Sequence, residues 1–252
     1  MKLVELTQVE HDISIGDMCG DKESTVTDDC IFTQDGKPIG FFIKKMPEKA
    51  CKLANLANHE LRSDNVPKTA MVRASGVEQF SCIIGGVPPK PHMRRPYPSI
   101  SSVHQKKSAR NFIKAMILLA RESEKLIEEH LPEQYAKQKE IFDQIDDKWK
   151  VGNLFTSSIS NYNISAPFHR DTANIKNTVN VIITKRKNST GGNLCVPDYN
   201  ATIDQCDNSM LVYPAWRNVH GVTPIVPTHD GGYRNSLVFY PLQAFILSLI
   251  HI

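Results

Sequence analysis

The sequence predicts an α+β fold in which helices pack against a double-sheet β-core of the sandwich or jelly-roll kind. Three observations predict it. The stretch from Ser108 to Leu131 repeats apolar residues at helical spacing, with charges on the opposite face. After Val151 the texture changes to short β-rich runs separated by polar links, the pattern of a double-sheet β-structure. The length of 252 residues, with 40% hydrophobic and 23% charged side chains, is ordinary for a globular chain with a sizeable core.

Taken in order, roughly the first 45 residues read as short strands and turns. Ile31-Phe-Thr33 and Ile39-Gly-Phe-Phe-Ile43 flank Asp35-Gly36, a strong hairpin-turn dipeptide. A helix is expected after Pro47, through Ala50, Leu53, Ala54 and Ala57. Residues 85–102 are rich in Gly and Pro and read as a loop carrying Lys90, Arg94 and Arg95. Phe112, Ile113, Met116, Leu119, Ala120 and Leu126 mark the buried stripe of the long helix, which Pro132 ends. A second, more polar helix is expected over Glu133–Trp149. The β-rich runs are Thr178–Thr184, Asn193–Val196, Met210–Tyr213, Val222–Val226 and Ser236–Tyr240. No internal repeat interrupts them.

The sharpest chemical signal is Phe168-His169-Arg170-Asp171. On a strand, residues two apart point to the same side, so His169 and Asp171 could reach one metal ion. His220 is the candidate third ligand. Two His and one carboxylate on one face form the triad of non-haem iron(II) oxygenases, which leaves coordination positions open. Zinc is the rival metal for this set. Arg234, fourteen residues after His220, heads a predicted strand, and its guanidinium fork suits a carboxylate. Ser236 lies on the same strand face and can add a hydroxyl donor.

Four ordered blocks resemble the TET/JBP nucleic-acid base dioxygenases. They are His169-Arg-Asp-Thr-Ala-Asn174, Gly191-Gly-Asn-Leu-Cys-Val-Pro-Asp-Tyr199, His220-Gly-Val-Thr-Pro224 and Arg234-Asn-Ser-Leu-Val-Phe-Tyr240. The stretch from Gly85 to Tyr135 is similar to smaller microbial and viral members. The resemblance implies a double-stranded β-helix (jelly-roll) core with supporting helices packed on one sheet. It implies iron(II) on His169, Asp171 and His220, 2-oxoglutarate on Arg234 and Ser236, and molecular oxygen as the third reactant. It implies hydroxylation of the 5-methyl group of 5-methylcytosine in DNA, with Asn174 bonding the extruded base and Tyr240 packing on it. Thymine is the alternative base, because Leu242 stands where animal members carry a base-reading His. A dioxygenase acting on a protein or small molecule, and a DNA-binding module that kept the fold without catalysis, are the remaining readings. The cysteine-rich zinc region of animal members is absent, so DNA contacts would come from Arg94, Arg95, Lys90, Lys106, Lys107 and Lys185-Arg-Lys187. Arg94 could instead help to hold 2-oxoglutarate.

The expected organisation is a single domain over 1–252. Strands and supporting helices occupy 1–150 and the catalytic β-core 151–246. The tail 247–252 resembles the translation of a transposase adapter from sequencing libraries and is expected to be non-native, the mark of a metagenomic gene. The net charge of +3 permits nucleic-acid binding without arguing for it. The six cysteines show no zinc-ligand spacing and are expected as reduced thiols of a cytoplasmic protein, in a host cytoplasm if the gene is viral. Neither a signal peptide nor a membrane span is expected, and the protein is expected to be a monomer.

Overall fold

A computed structural model describes residues 1–70 and 78–247. In chain order its strands are β1 (Lys2–Glu5), β2 (Cys30–Gln34), β3 (Lys37–Ile43), β4 (Thr69–Ala70), β5 (Phe80–Val87), β6 (Ser99–Ile100), β7 (Ser157–Tyr162) and β8 (Asn180–Lys187). They continue with β9 (Ser189–Gly191), β10 (Leu194–Val196), β11 (Ala201–Ile203), β12 (Met210–Tyr213), β13 (Gly221–Val222), β14 (Ile225–Pro227) and β15 (Tyr233–Tyr240). The helices are α1 (Glu48–Arg62), α2 (Arg110–His130), α3 (Pro132–Asp143) and the short α4 (Ala244–Leu247).

A large sheet runs in the order β1-β2-β3-β12-β8-β15-β7-β5-β4, and β6 pairs with β5. Strands from residues 1–150 and from 151–246 therefore share one sheet. A smaller sheet, β11-β10-β13, packs on it through a shared core, and β14 pairs with β9. Alternation along the large sheet sorts its side chains between two cores. Phe41, Val181, Ile183, Val212, Leu237 and Phe239 join the helix-covered core with Phe112, Met116 and Leu119 of α2. Their neighbours Phe42, Ile182 and Leu211 turn the other way and meet Leu194, Val196 and Ile203 of the small sheet. The result is the jelly roll, with helices on one sheet and a protected space between the two.

Several local expectations hold. The β2–β3 turn has positive φ at Asp35 (50°) and Gly36 (71°), as a two-residue hairpin requires. The buried face of α2 contains Phe112, Met116, Leu119, Ala120 and Leu126. Pro132 sits in the first turn of α3, where its missing N–H costs nothing.

Others are corrected. α3 stops at Asp143, short of Trp149. Asp146 accepts from the Lys148 backbone N–H and caps a separate turn over Asp147–Trp149, while Ile145 turns inward against Phe142 and Ile175. Residues 85–102 are not all loop, because β5 runs to Val87 and pairs with Ser99–Ile100. The Val222–Val226 run is two short strands, divided at Thr223-Pro224. His169 and Asp171 do not lie on a regular strand, and His169 makes only an isolated antiparallel bridge with His220. The suspected tail falls outside the described residues apart from Leu247, which ends α4.

Candidate active site

The isolated bridge brings the first and third predicted ligands together. The backbone N–H of each of His169 and His220 donates to the other's carbonyl at 2.9 Å, which sets the two rings 4.3 Å apart. Asp171 follows in a turn, with its N–H on the Ala215 carbonyl and its own carbonyl accepting from the Asn174 N–H. Asp171 Oδ1 stands 3.6 Å from His169 Nε2 and 3.9 Å from His220 Nε2. One ligand atom from each residue lies within 4.8 Å of the others. Neighbouring ligands with bonds of ~2.1 Å stand about 3 Å apart, so a small contraction would close the triad on one ion.

Each ligand is aimed by a second group. His169 Nδ1 meets the Pro167 carbonyl at 2.7 Å and His220 Nδ1 the Asn218 carbonyl at 2.9 Å. A carbonyl can only accept, so both protons sit on Nδ1 and both Nε2 lone pairs face inward. Burial is the first cause holding His220 below its ordinary pKa, which favours the neutral imidazole a metal needs. Asn180 Nδ2 donates to Asp171 Oδ2 at 2.9 Å, leaving Oδ1 toward the two histidines. The amide of Asn174 adds a longer contact to Oδ2 at 3.4 Å and donates to Asn180 Oδ1 at 3.0 Å. Asn180 carries no motif signal in the sequence, and only the fold shows its role.

Deeper between the sheets lies Arg234, 2% exposed. Its Nη2 donates to Gln205 Oε1, while Arg234 Nε and Gln205 Nε2 are buried without a hydrogen-bond partner. Arg186 lies directly across the strand pair, and no carboxylate ion-pairs with Arg234 among the described residues. Burial first, then the Arg186 charge, pushes the Arg234 guanidinium down to about 9. It stays charged at neutral pH as a buried cation beside unsatisfied donors, an arrangement that calls for an anion with acceptor oxygens. Ser236 lies two residues along on the same face, opposite Thr184, whose hydroxyl is also unpartnered. The donor set fits a carboxylate.

Triad, Arg234 and Ser236 line one cavity of about 450 Å³, together with Asn161, Asn174, Asn180, Tyr213, Tyr240 and Leu242. Burial raises the Tyr213 and Tyr240 phenols above their ordinary range, and the Asp171 charge adds to it, so both keep their protons.

The family model described as the oxygenase domain of the 2OGFeDO superfamily, Tet_JBP, matches residues 90–243, more than half of the chain. The chain belongs to the Tet/JBP family. Its superfamily uses iron(II), 2-oxoglutarate and O2, and the protein is a 2-oxoglutarate-dependent dioxygenase. Among solved structures, NgTET1 in complex with 5mC DNA is similar over 93% of this chain and 84% of its own, with a TM-score of 0.62 and 12% identity. A 2OG-Fe(II) oxygenase family oxidoreductase from Burkholderia pseudomallei aligns over 80% of this chain and 84% of its own, with a TM-score of 0.49 and 14% identity. At 12% identity the likeness to NgTET1 speaks for the fold alone. No curated protein matches.

Asn174 and Tyr240, expected as base contacts, both line the cavity. Other expected contacts lie elsewhere. Arg94 and Arg95 are exposed on the turn closed by the Lys90–Arg95 bridge and do not line the cavity. Lys185 is 4% exposed and bound to Asp207 and Asn208, and Arg186 donates to the Gly191 carbonyl. Those two are internal supports, which corrects their expected place on a phosphate-binding rim.

Proposed function

We propose that the protein hydroxylates the 5-methyl group of 5-methylcytosine in DNA to give 5-hydroxymethylcytosine. The observation that carries the reading is the single cavity that joins the His169–Asp171–His220 cluster, the unpaired Arg234 and the amide and phenol groups of Asn174 and Tyr240. Membership of the Tet/JBP family and the likeness to a TET protein in complex with 5mC DNA support it.

His169, Asp171 and His220 would hold iron through Nε2, Oδ1 and Nε2. Arg234, Ser236 and the Gln205 amide would receive the far carboxylate of 2-oxoglutarate. When bound, iron(II), 2-oxoglutarate and oxygen together supply an oxidant able to attack an unactivated methyl group, which side-chain acids and bases cannot do. The chain's own work is placement. Asn180 fixes the Asp171 carboxylate, and the two sheets bury the Arg234 end of the cavity. A base inside a duplex cannot reach so deep a site, so it must be flipped out, at a cost of a few kcal/mol. Asn174 keeps an amide oxygen for the extruded base, and the Tyr240 ring offers it a face.

Leu242 favours a second reading, thymine to 5-hydroxymethyluracil. It lines the cavity beside Asn174, to which it is bridged, and brings no polar side-chain group to tell cytosine from thymine. The test is incubation of the iron- and 2-oxoglutarate-loaded protein with duplex DNA containing both bases, then mass analysis of the nucleosides. One added oxygen on 5-methylcytosine supports the first reading and on thymine the second. Succinate without a modified base would refute both.

A further inference from the structure

The second core, between the large and small sheets, is not completely filled. Beside the iron cavity lies a separate void of about 30 Å³ whose wall is almost wholly carbon. Two residues, Leu194 of β10 and Tyr213 of β12, line both spaces. The wall also includes Leu6, Ile39 and Tyr199, all partly exposed. The void therefore touches partly exposed residues and shares the Leu194–Tyr213 wall with the cavity of the triad.

We propose that this void is a dioxygen site that supplies the iron cavity through the Leu194–Tyr213 partition. Its size decides the class of occupant. A water needs roughly 10–15 Å³ of such space, so a diatomic molecule fits and 2-oxoglutarate or a base does not. Its lining decides against water, which needs two or more polar partners to stay. The wall residues Tyr199 and Asn218 have already committed polar atoms. The Asn218 amide donates to Asp198 Oδ2 and to the Tyr199 hydroxyl, and that hydroxyl lies within bonding distance of Gln34. Oxygen is apolar and loses nothing on entering such a space. A separate path also answers a need of the site. With 2-oxoglutarate on Arg234 and a substrate at the mouth beside Asn174 and Tyr240, the polar opening is filled, and a gas must arrive by another wall. Tyr213 stands edge-on to His220, with ring centres 5.4 Å apart, so a small movement at the partition opens directly beside the triad.

The inference rests on the dioxygenase chemistry of the family and not on which base is oxidised. Crystals of the full chain pressurised with xenon test it directly. Xenon should occupy the void between Leu194, Leu211 and Tyr213, and a void empty of xenon at saturating pressure overturns the proposal. The Ala201→Phe variant then tests supply, because Ala201 lines the void and not the iron cavity. Oxygen uptake is followed with 2-oxoglutarate present. The KM for oxygen should rise several-fold while the KM for 2-oxoglutarate stays unchanged. Should Phe prevent folding, Ala201→Leu fills less of the same space and is read in the same way. An unchanged oxygen KM in a folded variant that no longer takes up xenon also overturns the proposal. Failure to oxidise either base leaves the xenon result standing, so the two readings fail separately.

Discussion

Arg234 shows how one residue can be a cost to the empty protein and a gain to the loaded one. A buried guanidinium without an anionic partner lowers stability, and replacing such a charge by an apolar chain of similar length is neutral or stabilising. Arg234→Met should leave the melting temperature of the ligand-free protein unchanged or raise it. The same variant should bind 2-oxoglutarate more weakly by roughly 30-fold or more, because losing one partner of a buried charged pair costs about 2–5 kcal/mol. Calorimetric scans with and without 2-oxoglutarate check both, and a large fall in the ligand-free melting temperature would contradict the assignment. Asn180 acts one step from the metal. Asn180→Ala leaves Asp171 Oδ2 only its longer contact to Asn174, and loss of such a supporting partner costs ~10–100-fold in metal affinity. Titration with manganese(II) as an oxygen-inert stand-in measures it. The ligand triad and Arg234 were legible in the sequence because their chemistry is rare and their order is fixed. Asn180 and Gln205 were not, because an amide declares no role until its neighbours are known.

At the scale of elements, the glycines before β10 explain how the small sheet approaches Arg234. Gly191 and Gly192 both have φ of +67°, in the left-handed region that side chains disfavour. A Cβ on Gly191 would stand 1.8 Å from the Pro224 carbonyl oxygen, and one on Gly192 would stand 3.2 Å from the Arg234 stem. Gly192→Ala must therefore strain the turn and push against Arg234. The expected outcome is a loss of ~1–2 kcal/mol in stability and a raised KM for 2-oxoglutarate, while metal affinity holds. Denaturant melts and steady-state kinetics separate the two effects. The helices and the β2–β3 hairpin could be read from the sequence because their signals are local: apolar spacing in α2, Asp35-Gly36 in the turn. The His169–Asp171 segment could not. Its alignment comes from the bridge to His220, fifty-one residues away, and not from the strand that the sequence suggests.

Over the whole molecule, the short β-rich runs after Val151 and the apolar stripe of α2 predict a double-sheet core covered by helices. The order of strands in each sheet depends on pairings that no window of sequence contains. Charge placement was legible least of all, because a lysine in a basic run and a lysine in an ion pair look alike until the fold is known. The structure divides the basic residues into two groups with opposite expectations. Lys185 holds Asp207 and Asn208 from a buried position, and Lys185→Ala removes that cation while Asp207, 40% exposed, keeps the Arg186 backbone N–H and the Asn208 amide. It should lower stability by about 1 kcal/mol, a melting shift of roughly 2–4 °C for a chain of this size. Arg94 and Arg95 are exposed and free of ion pairs among the described residues. Replacing both with Ala should leave the melting temperature alone. If they meet DNA phosphates, as the proposed function has it, the slope of log affinity against log salt should fall by about 2, one for each phosphate no longer neutralised. An unchanged slope would move the DNA path to the lysines at 90, 106 and 107, which flank the same turn and the entry to α2.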